Sequence, residues 1–114
     1  MKPLLISFAL CMLSATAAHA SEASGQIVEV RSGPYYGDKV TITISPAPAN
    51  QPACSTLGVR GHYMIDTSAP GGKAWLALIL SAYAAQKNVL VFGTDECIVA
   101  GGFYGESIET IAVQ

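Results

Sequence analysis

The chain has 114 residues, of which 12% are charged, and its net charge at pH 7 is −2. This length allows one domain of modest size. The weak and scattered negative charge argues against a protein that binds the backbone of a nucleic acid, because such a protein needs a basic stripe.

Residues 1–20 have the features of a secretory signal peptide. Lys2 precedes an apolar run over residues 4–13, which is too short to cross a bilayer, and the segment ends in the small-x-small motif Ala-His-Ala. We predict cleavage after Ala20, which leaves one domain over residues 21–114 that is periplasmic or secreted and has no membrane span. A retained membrane anchor is the alternative.

Two short segments with alternating hydrophobicity predict the first two strands. Residues 27–31 place Val28 and Val30 on one face. Residues 40–44 alternate more regularly, and their β-branched content supports a strand. In this second strand we expect the inward residues to be Val40, Ile42 and Ile44, and the outward residues to be Thr41 and Thr43.

Cys54 and Cys97 are the cysteines that remain after the predicted cleavage. An even number of cysteines in an exported chain predicts a disulfide between them, which would hold the loop predicted at residues 45–54, where prolines prevent a strand. A metal pair or a reactive thiol is the alternative. Two distant cysteines without a CxxC motif do not resemble a zinc site, so we expect no metal.

Residues 59–65 predict a third strand, with Arg60 and His62 facing outward. The long helix follows over residues 70–88. Residues 66–68 offer side chains that could cap its start, and Asn88 could adopt the left-handed conformation at its end.

The predicted helix has apolar residues at i, i+3, i+4 and i+7, but they cover more than one stripe. We expect its barrel-facing residues to be Leu76, Ile79, Leu80 and Tyr83. Trp75, Leu78 and Ala82 would lie beside this face and be partly exposed in a monomer. Contiguous exposed apolar surface usually marks an interface, so these three residues predict a homo-oligomer that packs through the helix.

The last part of the chain predicts two more strands. A buried strand over residues 89–92 is followed by a turn at 93–96, a brief continuation at 97–99 and a glycine-rich aromatic loop at 101–105. The final strand, 106–113, changes phase between its two last isoleucines, which indicates a bulge. The fold class is therefore mainly β: a five-stranded OB-like barrel with one helix between strands 3 and 4. A small α+β sandwich is the competing fold.

Nothing in the sequence predicts catalysis. His62 is the only histidine after cleavage, and we interpret it as a surface residue. The adjacent Asp95 and Glu96 are more typical of a solvated turn than of a pair of glycosidase carboxylates. The Gly-Gly-Lys at 71–73 lacks the rest of a phosphate-binding loop. We therefore expect no enzyme and no cofactor.

Aromatic residues are the better candidates for a ligand site. Tyr35 and Tyr36 lie in one connection, and Phe103 and Tyr104 lie in another, each beside glycines that could expose the rings. Small exported domains use such rings to stack on sugars or to contact a partner. Rings that cap the ends of the barrel are the alternative.

The run GKAWLALILSAYAAQKNVLVFGTDECIV, followed by ESIETIAV, resembles a family of small exported bacterial proteins. Their pattern is an apolar helix that begins with GK and ends AYASGK, then VxVxGTxxC and ESIxxIxV. In this chain Ala85 and Gln86 replace the usual Ser-Gly. In architecture these proteins look like the OB-fold receptor-binding subunits of subtilase- and pertussis-type toxins, in which five subunits form a ring, helices line its centre and barrel surfaces bind glycans.

The resemblance implies a non-catalytic subunit that binds a glycan or a receptor. The alternative function is a periplasmic structural or inhibitory protein that docks another envelope protein. No glycan-contacting residue carries over by motif, because the resemblance in this chain is confined to structural positions.

Overall fold

The computed structural model describes residues 20–114. The predicted signal peptide lies outside this part, apart from its last residue. In the described part, no helix is long and apolar enough to cross a membrane. The elements are the strands β1 (Glu22–Arg31), β2 (Lys39–Ser45), β3 (Tyr63–Asp66), β4 (Asn88–Ala100) and β5 (Phe103–Val113), and the helix α1 (Gly72–Ala85) between β3 and β4.

The five strands close into a barrel in the order β1-β2-β3-β5-β4, and β4 pairs back onto β1. Neighbouring strands are antiparallel except β3 and β5, which are parallel and pair through Tyr63 and Glu106. This arrangement confirms the predicted class, which is mainly β with five strands and one helix between the third and fourth.

One hydrophobic core fills the barrel and continues under the helix. Every strand contributes to it, and α1 covers it with two buried side chains and the half-buried Trp75. Its buried members are Ala23, Ile27, Ile42, Ile44, Tyr63, Ile65, Ile79, Ala82, Val89, Val91, Ile108 and Ile111. The inward set of β2 was predicted from its alternation and is confirmed, because Val40, Ile42 and Ile44 are all buried.

The predicted orientation of Val28 is wrong. The pairing of β1 with β2 shifts register between Ile27 and Glu29, so Val28 lies in a bulge and its side chain is exposed. One extra residue reverses the alternation, and Ile27 faces the core instead. Thr41 lies on the outer face of β2, as predicted. It is nevertheless buried there, where its hydroxyl donates to the carbonyl of Arg60 at 2.9 Å.

The third strand begins later than predicted. Residues Gly58–Arg60 form a single 3₁₀ turn, and Val59 on it is 93% exposed. Gly58 and Gly61 flank this turn with positive φ angles of 55° and 144°. Such backbone conformations favour glycine and interrupt a strand, which therefore starts at Tyr63.

The helix ends do not use the predicted caps. Gly71 is the N-cap residue and makes no side-chain cap hydrogen bond. The Asp66 carboxylate instead accepts hydrogen bonds from the backbone N–H of Ser68 at 2.9 Å and from its hydroxyl at 2.6 Å, which close a turn before the helix. At the other end Gln86, rather than Asn88, adopts the left-handed conformation, with a φ of 51°.

The last two strands form one long hairpin. The predicted turn at 93–96 is a bulge within β4, because the pairing with β5 shifts register between Gly93 and Cys97. The predicted aromatic loop is reduced to a turn at 101–102, and Phe103 already belongs to β5. The bulge expected in the last strand is confirmed, since pairing shifts where Glu109 is an extra residue.

A disulfide joins Cys54 to Cys97, as predicted, across a sequence separation of 43 residues. It ties the proline-containing loop between β2 and β3 to the bulged part of β4. Such bonds are typical of proteins in oxidising compartments, which include the periplasm and the extracellular space.

Candidate functional site

Three of the four predicted aromatic residues meet at one end of the barrel. We call Tyr35, Tyr36 and Phe103 the aromatic cluster. The ring centroids of Tyr35 and Phe103 are 5.9 Å apart with the planes at 63°, and those of Tyr35 and Tyr36 are 5.9 Å apart at 85°. These edge-to-face arrangements are favourable for aromatic pairs, so each ring helps to orient its neighbours.

The three rings differ in how far they are buried. Tyr36 is buried and packs into a second, smaller core with Leu57, Met64 and Ala100. Phe103 is half-buried against the same core, whereas Tyr35 is 62% exposed. The cluster therefore combines both interpretations of the aromatic residues: Tyr36 closes the barrel end, and Tyr35 presents a ring to solvent.

Two tight backbone segments bring these rings together. In the β1–β2 connection the Tyr36 N–H donates to the Gly33 carbonyl at 3.0 Å, and the Lys39 N–H donates to the Tyr36 carbonyl at 3.1 Å. In the β4–β5 hairpin Gly101 has a φ of +56°, and a Cβ atom there would lie 2.6 Å from the Tyr35 ring. Glycine at this position lets the hairpin approach Tyr35 closely.

Arg60 completes the site, and the sequence did not reveal it. Its guanidinium carbon lies 4.1 Å from the centroid of the Phe103 ring, which is a cation–π contact. Within residues 20–114 the ion pairs join Arg31 to Glu29 and Lys39 to Asp38. Arg60 takes part in neither of them. The Arg60 side chain thus adds a cation with several N–H donors to the Phe103 ring of the aromatic cluster.

Tyr104, the fourth predicted ligand-binding residue, lies apart from the cluster. Adjacent residues of a strand point to opposite faces, so Tyr104 and Phe103 diverge. Tyr104 is exposed opposite Val99 of β4. Its backbone pairs with Thr56: the Tyr104 N–H donates to the Thr56 hydroxyl at 2.8 Å, and its carbonyl accepts from the Thr56 N–H at 2.7 Å.

The helix presents a second surface, which carries no charge beyond Lys73 in its first turn. Leu78 is exposed as expected, Trp75 is half-buried against the core, and Ala82 is buried with 1% exposure. Ala82 therefore packs on the barrel instead of flanking the buried face, while Leu80 and Tyr83, expected to face the barrel, are exposed. We call the solvent-facing set the outer helix face; it consists of Ala74, Ala77, Leu78, Leu80, Ser81 and Ala84.

His62 occupies a structural position between β2 and the loop that follows it. Its Nδ1 atom accepts a hydrogen bond from the Ile44 N–H at 3.1 Å, and its carbonyl accepts one from the Gln51 side chain at 2.5 Å. Burial lowers the pKa of the imidazole. These bonds connect His62 to β2 and to the loop that follows it.

The part of the chain described by the structure, residues 20–114, contains no group of three or more His, Cys, Asp or Glu side chains that could hold a metal ion. No protein-family model, curated protein or solved structure matches the chain.

Proposed function

We propose that this protein is an exported, non-catalytic binding module that recognises a glycan, or a receptor that carries one, through the aromatic cluster and Arg60. The observation that carries the proposal is the state of Tyr35, which is 62% exposed although its ring is held by two other rings. A ring already fixed in place can stack on the apolar face of a sugar with little further loss of conformational freedom.

Arg60 supports the same proposal. Its guanidinium carbon lies 4.1 Å from the centroid of the Phe103 ring, so its N–H donors belong to the same site as the aromatic cluster. Charged donors form stronger hydrogen bonds than neutral ones, and they suit the hydroxyls and carboxylates of sugars. Export is supported by the disulfide and by the features of a signal peptide in residues 1–20.

The test is binding of the purified mature protein, without reductant, to an array of neutral and acidic glycans. Tyr35→Ala is expected to weaken binding at least tenfold. Tyr83→Ala, which removes another exposed tyrosine but lies on the helix, is the matched control and is expected to bind normally. Arg60→Gln is expected to weaken acidic glycans more than neutral ones. Equal binding by the wild type and Tyr35→Ala, or no binding to any glycan, would contradict the proposal.

A homo-oligomer that packs through the outer helix face belongs to the same proposal. The face has two leucines and four small residues, and Lys73, the charged residue of the helix, lies on the same side in its first turn. Because the face carries no charge beyond the first turn of the helix, the faces of two copies can meet there without electrostatic repulsion and bury the exposed leucines.

The mass of the mature protein under native conditions tests this oligomer. A closed ring of several copies is expected. A monomer at every concentration would instead favour the alternative function, a periplasmic structural or inhibitory protein that docks another envelope protein on the same face.

A further inference from the structure

A buried cluster of polar side chains lies next to Ser21, just before the start of β1. The side chains of Ser21, Tyr63 and Glu106 are all fully buried. The Ser21 hydroxyl donates to Oε1 of Glu106 and lies 2.8 Å from the Tyr63 hydroxyl. The other carboxylate oxygen, Oε2, accepts a hydrogen bond from the Asp95 N–H at 2.9 Å.

Glu106 is buried among donors that carry no charge. Within residues 20–114 the ion pairs join Arg31 to Glu29 and Lys39 to Asp38, and neither involves Glu106. Burying a carboxylate is costly unless a cation compensates it. Burial also raises the pKa of Tyr63 to about 12, and the nearby Glu106 contributes in the same direction, so the phenol stays neutral. A positive charge would stabilise an ionised Glu106 here, and no side chain within residues 20–114 forms an ion pair with it.

Ser21 is the first residue after the predicted cleavage site. The hydroxyl oxygen of a serine lies roughly 3–4 Å from its own backbone nitrogen in any staggered rotamer. Because that hydroxyl is hydrogen-bonded to Glu106, the Ser21 nitrogen lies within about 6 Å of the carboxylate, a distance at which opposite charges interact strongly.

We propose that cleavage after Ala20 creates a buried ion pair between the new α-ammonium group of Ser21 and the Glu106 carboxylate. Hydrolysis adds one water molecule across the peptide bond: Ala20 leaves as a carboxylate, and the freed nitrogen of Ser21 becomes an amine that takes up a proton. Signal-peptide removal thus completes the charge balance of the barrel interior, and the precursor lacks this pair.

The surroundings fix Ser21 in the position that the pair requires. The Ser21 carbonyl accepts a hydrogen bond from the Gly93 N–H at 2.9 Å. The next residue, Glu22, exchanges two backbone hydrogen bonds with Ala49 and pairs with Phe92 of β4. A Cβ atom at Gly93 would collide with the Glu106 carboxylate and would lie 2.6 Å from the Ser21 hydroxyl. Only glycine leaves room for this cluster.

Ala20 itself is half-buried and continues the described chain, so a protein that retains it is expected to fold. Such a protein has an amide at the Ser21 nitrogen and differs from the mature form by one small residue. It is therefore a matched control that moves the charge one residue further from Glu106 without removing any side chain.

The experiment compares two forms of the full domain, beginning at Ser21 or at Ala20, in the wild type and in Glu106→Gln. In the wild type, retaining Ala20 is expected to raise the equilibrium constant for unfolding at least tenfold. In Glu106→Gln, where the carboxylate is absent, the two forms are expected to differ less than twofold. Equal stability of the two wild-type forms, or the same difference in both backgrounds, would overturn the proposal.

A second measurement does not depend on the folding of Glu106→Gln. Acylation of the α-amino group by an activated ester at pH 7 is expected to be at least tenfold slower for the chain that begins at Ser21 than for the chain that begins at Ala20. Equal rates would show that the Ser21 amine is free in solution. The mass of the protein purified from its native host must also correspond to a chain that begins at Ser21; another start overturns the inference.

Discussion

The Nδ1 atom of His62 accepts a hydrogen bond from the backbone N–H of Ile44 at 3.1 Å. Only an unprotonated Nδ1 can accept this bond, and burial lowers the pKa of the ring below its ordinary value of about 6.5. Between the two pKa values the unfolded chain binds more protons than the folded chain. The contribution of His62 to stability is therefore complete above pH 6.5 and is lost as the pH falls through the lowered value.

His62→Asn removes this titration and keeps a side-chain oxygen that can accept the Ile44 hydrogen bond. The urea midpoint of the wild type is expected to fall further between pH 7.5 and pH 5.0 than the midpoint of His62→Asn. The carboxylates titrate in both proteins, so the difference between the two changes in urea midpoint reports the contribution of the histidine alone. Parallel pH profiles would mean that the histidine has the same pKa in both states.

The backbone of Gln86 adopts an unfavourable left-handed conformation at the end of α1. Its φ is 51°, and the residue provides the left-handed cap whose N–H bonds back to Ala82 and Tyr83. Non-glycine residues are disfavoured in this conformation, so Gln86→Gly is expected to raise the free energy of unfolding by about 0.5–1 kcal/mol in urea titrations. Ala85→Gly, one residue earlier within the helix, is the control and is expected to lower it by about 1 kcal/mol. A decrease for Gln86→Gly would show that its side chain contributes more than the strain costs.

The disulfide is expected to contribute a large part of the stability. Its sequence separation of 43 residues gives about 4 kcal/mol in the chain-entropy model. Neither cysteine belongs to the buried core, so the double variant Cys54→Ala, Cys97→Ala loses little packing. Urea unfolding of this variant should show a loss of about 3–4 kcal/mol with an unchanged far-UV circular dichroism spectrum. A decrease in the free energy of unfolding of less than about 1 kcal/mol would mean that the unfolded chain is already compact without the disulfide.

Adjacent glycines in the β4–β5 turn allow a controlled test of the aromatic cluster. Gly101 and Gly102 both have positive φ angles, of 56° and 80°, but only a Cβ at Gly101 would contact Tyr35. Both alanine variants are strained by the backbone conformation. Gly101→Ala alone is expected to displace the Tyr35 ring, which changes the near-UV circular dichroism and the glycan affinity. Matching spectra for the two variants would indicate that the hairpin can shift without moving Tyr35.

Leu78→Glu places a charge in the middle of the outer helix face. Because Leu78 is exposed in the monomer, the substitution is expected to leave the unfolding midpoint nearly unchanged while the native mass falls to that of one chain. Thr110→Glu adds the same charge to an exposed position on β5 and is expected to retain the assembled mass. An assembly that survives Leu78→Glu would place the interface elsewhere.

The sequence predicted those features that depend on local periodicity. The alternation of Val40, Ile42 and Ile44 showed which residues of β2 share the buried face. Two local interruptions were not predicted: the bulge at Val28 reverses a strand, and glycines with positive φ turn the residues around Val59 out of the sheet. The helix was misoriented because it is apolar all round, so periodicity alone could not choose its buried side.

Contacts between distant parts of the chain were beyond such analysis. The four predicted rings were correct as aromatic candidates, but nothing in their spacing showed that Tyr104 would leave the group and that Arg60 would stack on Phe103. The link between Ser21 and Glu106 spans 85 positions and involves residue types that are usually solvated. Only the closure of the barrel brings them together.

The junction of β3 with β5 has a mechanical consequence. It is paired at one position, Tyr63 with Glu106, whereas β4 and β5 are paired along most of their length. The barrel is therefore expected to open first between β3 and β5. In this partial opening the sheet β1-β2-β3 separates from the β4–β5 hairpin along that junction. In deuterium exchange, the β3 amides that face β5 should lose protection before those that face β2. Tyr63 and Glu106, which form this pairing, also belong to the buried polar cluster with Ser21. Cleavage before Ser21 is therefore expected to change the stability of the β3–β5 junction directly.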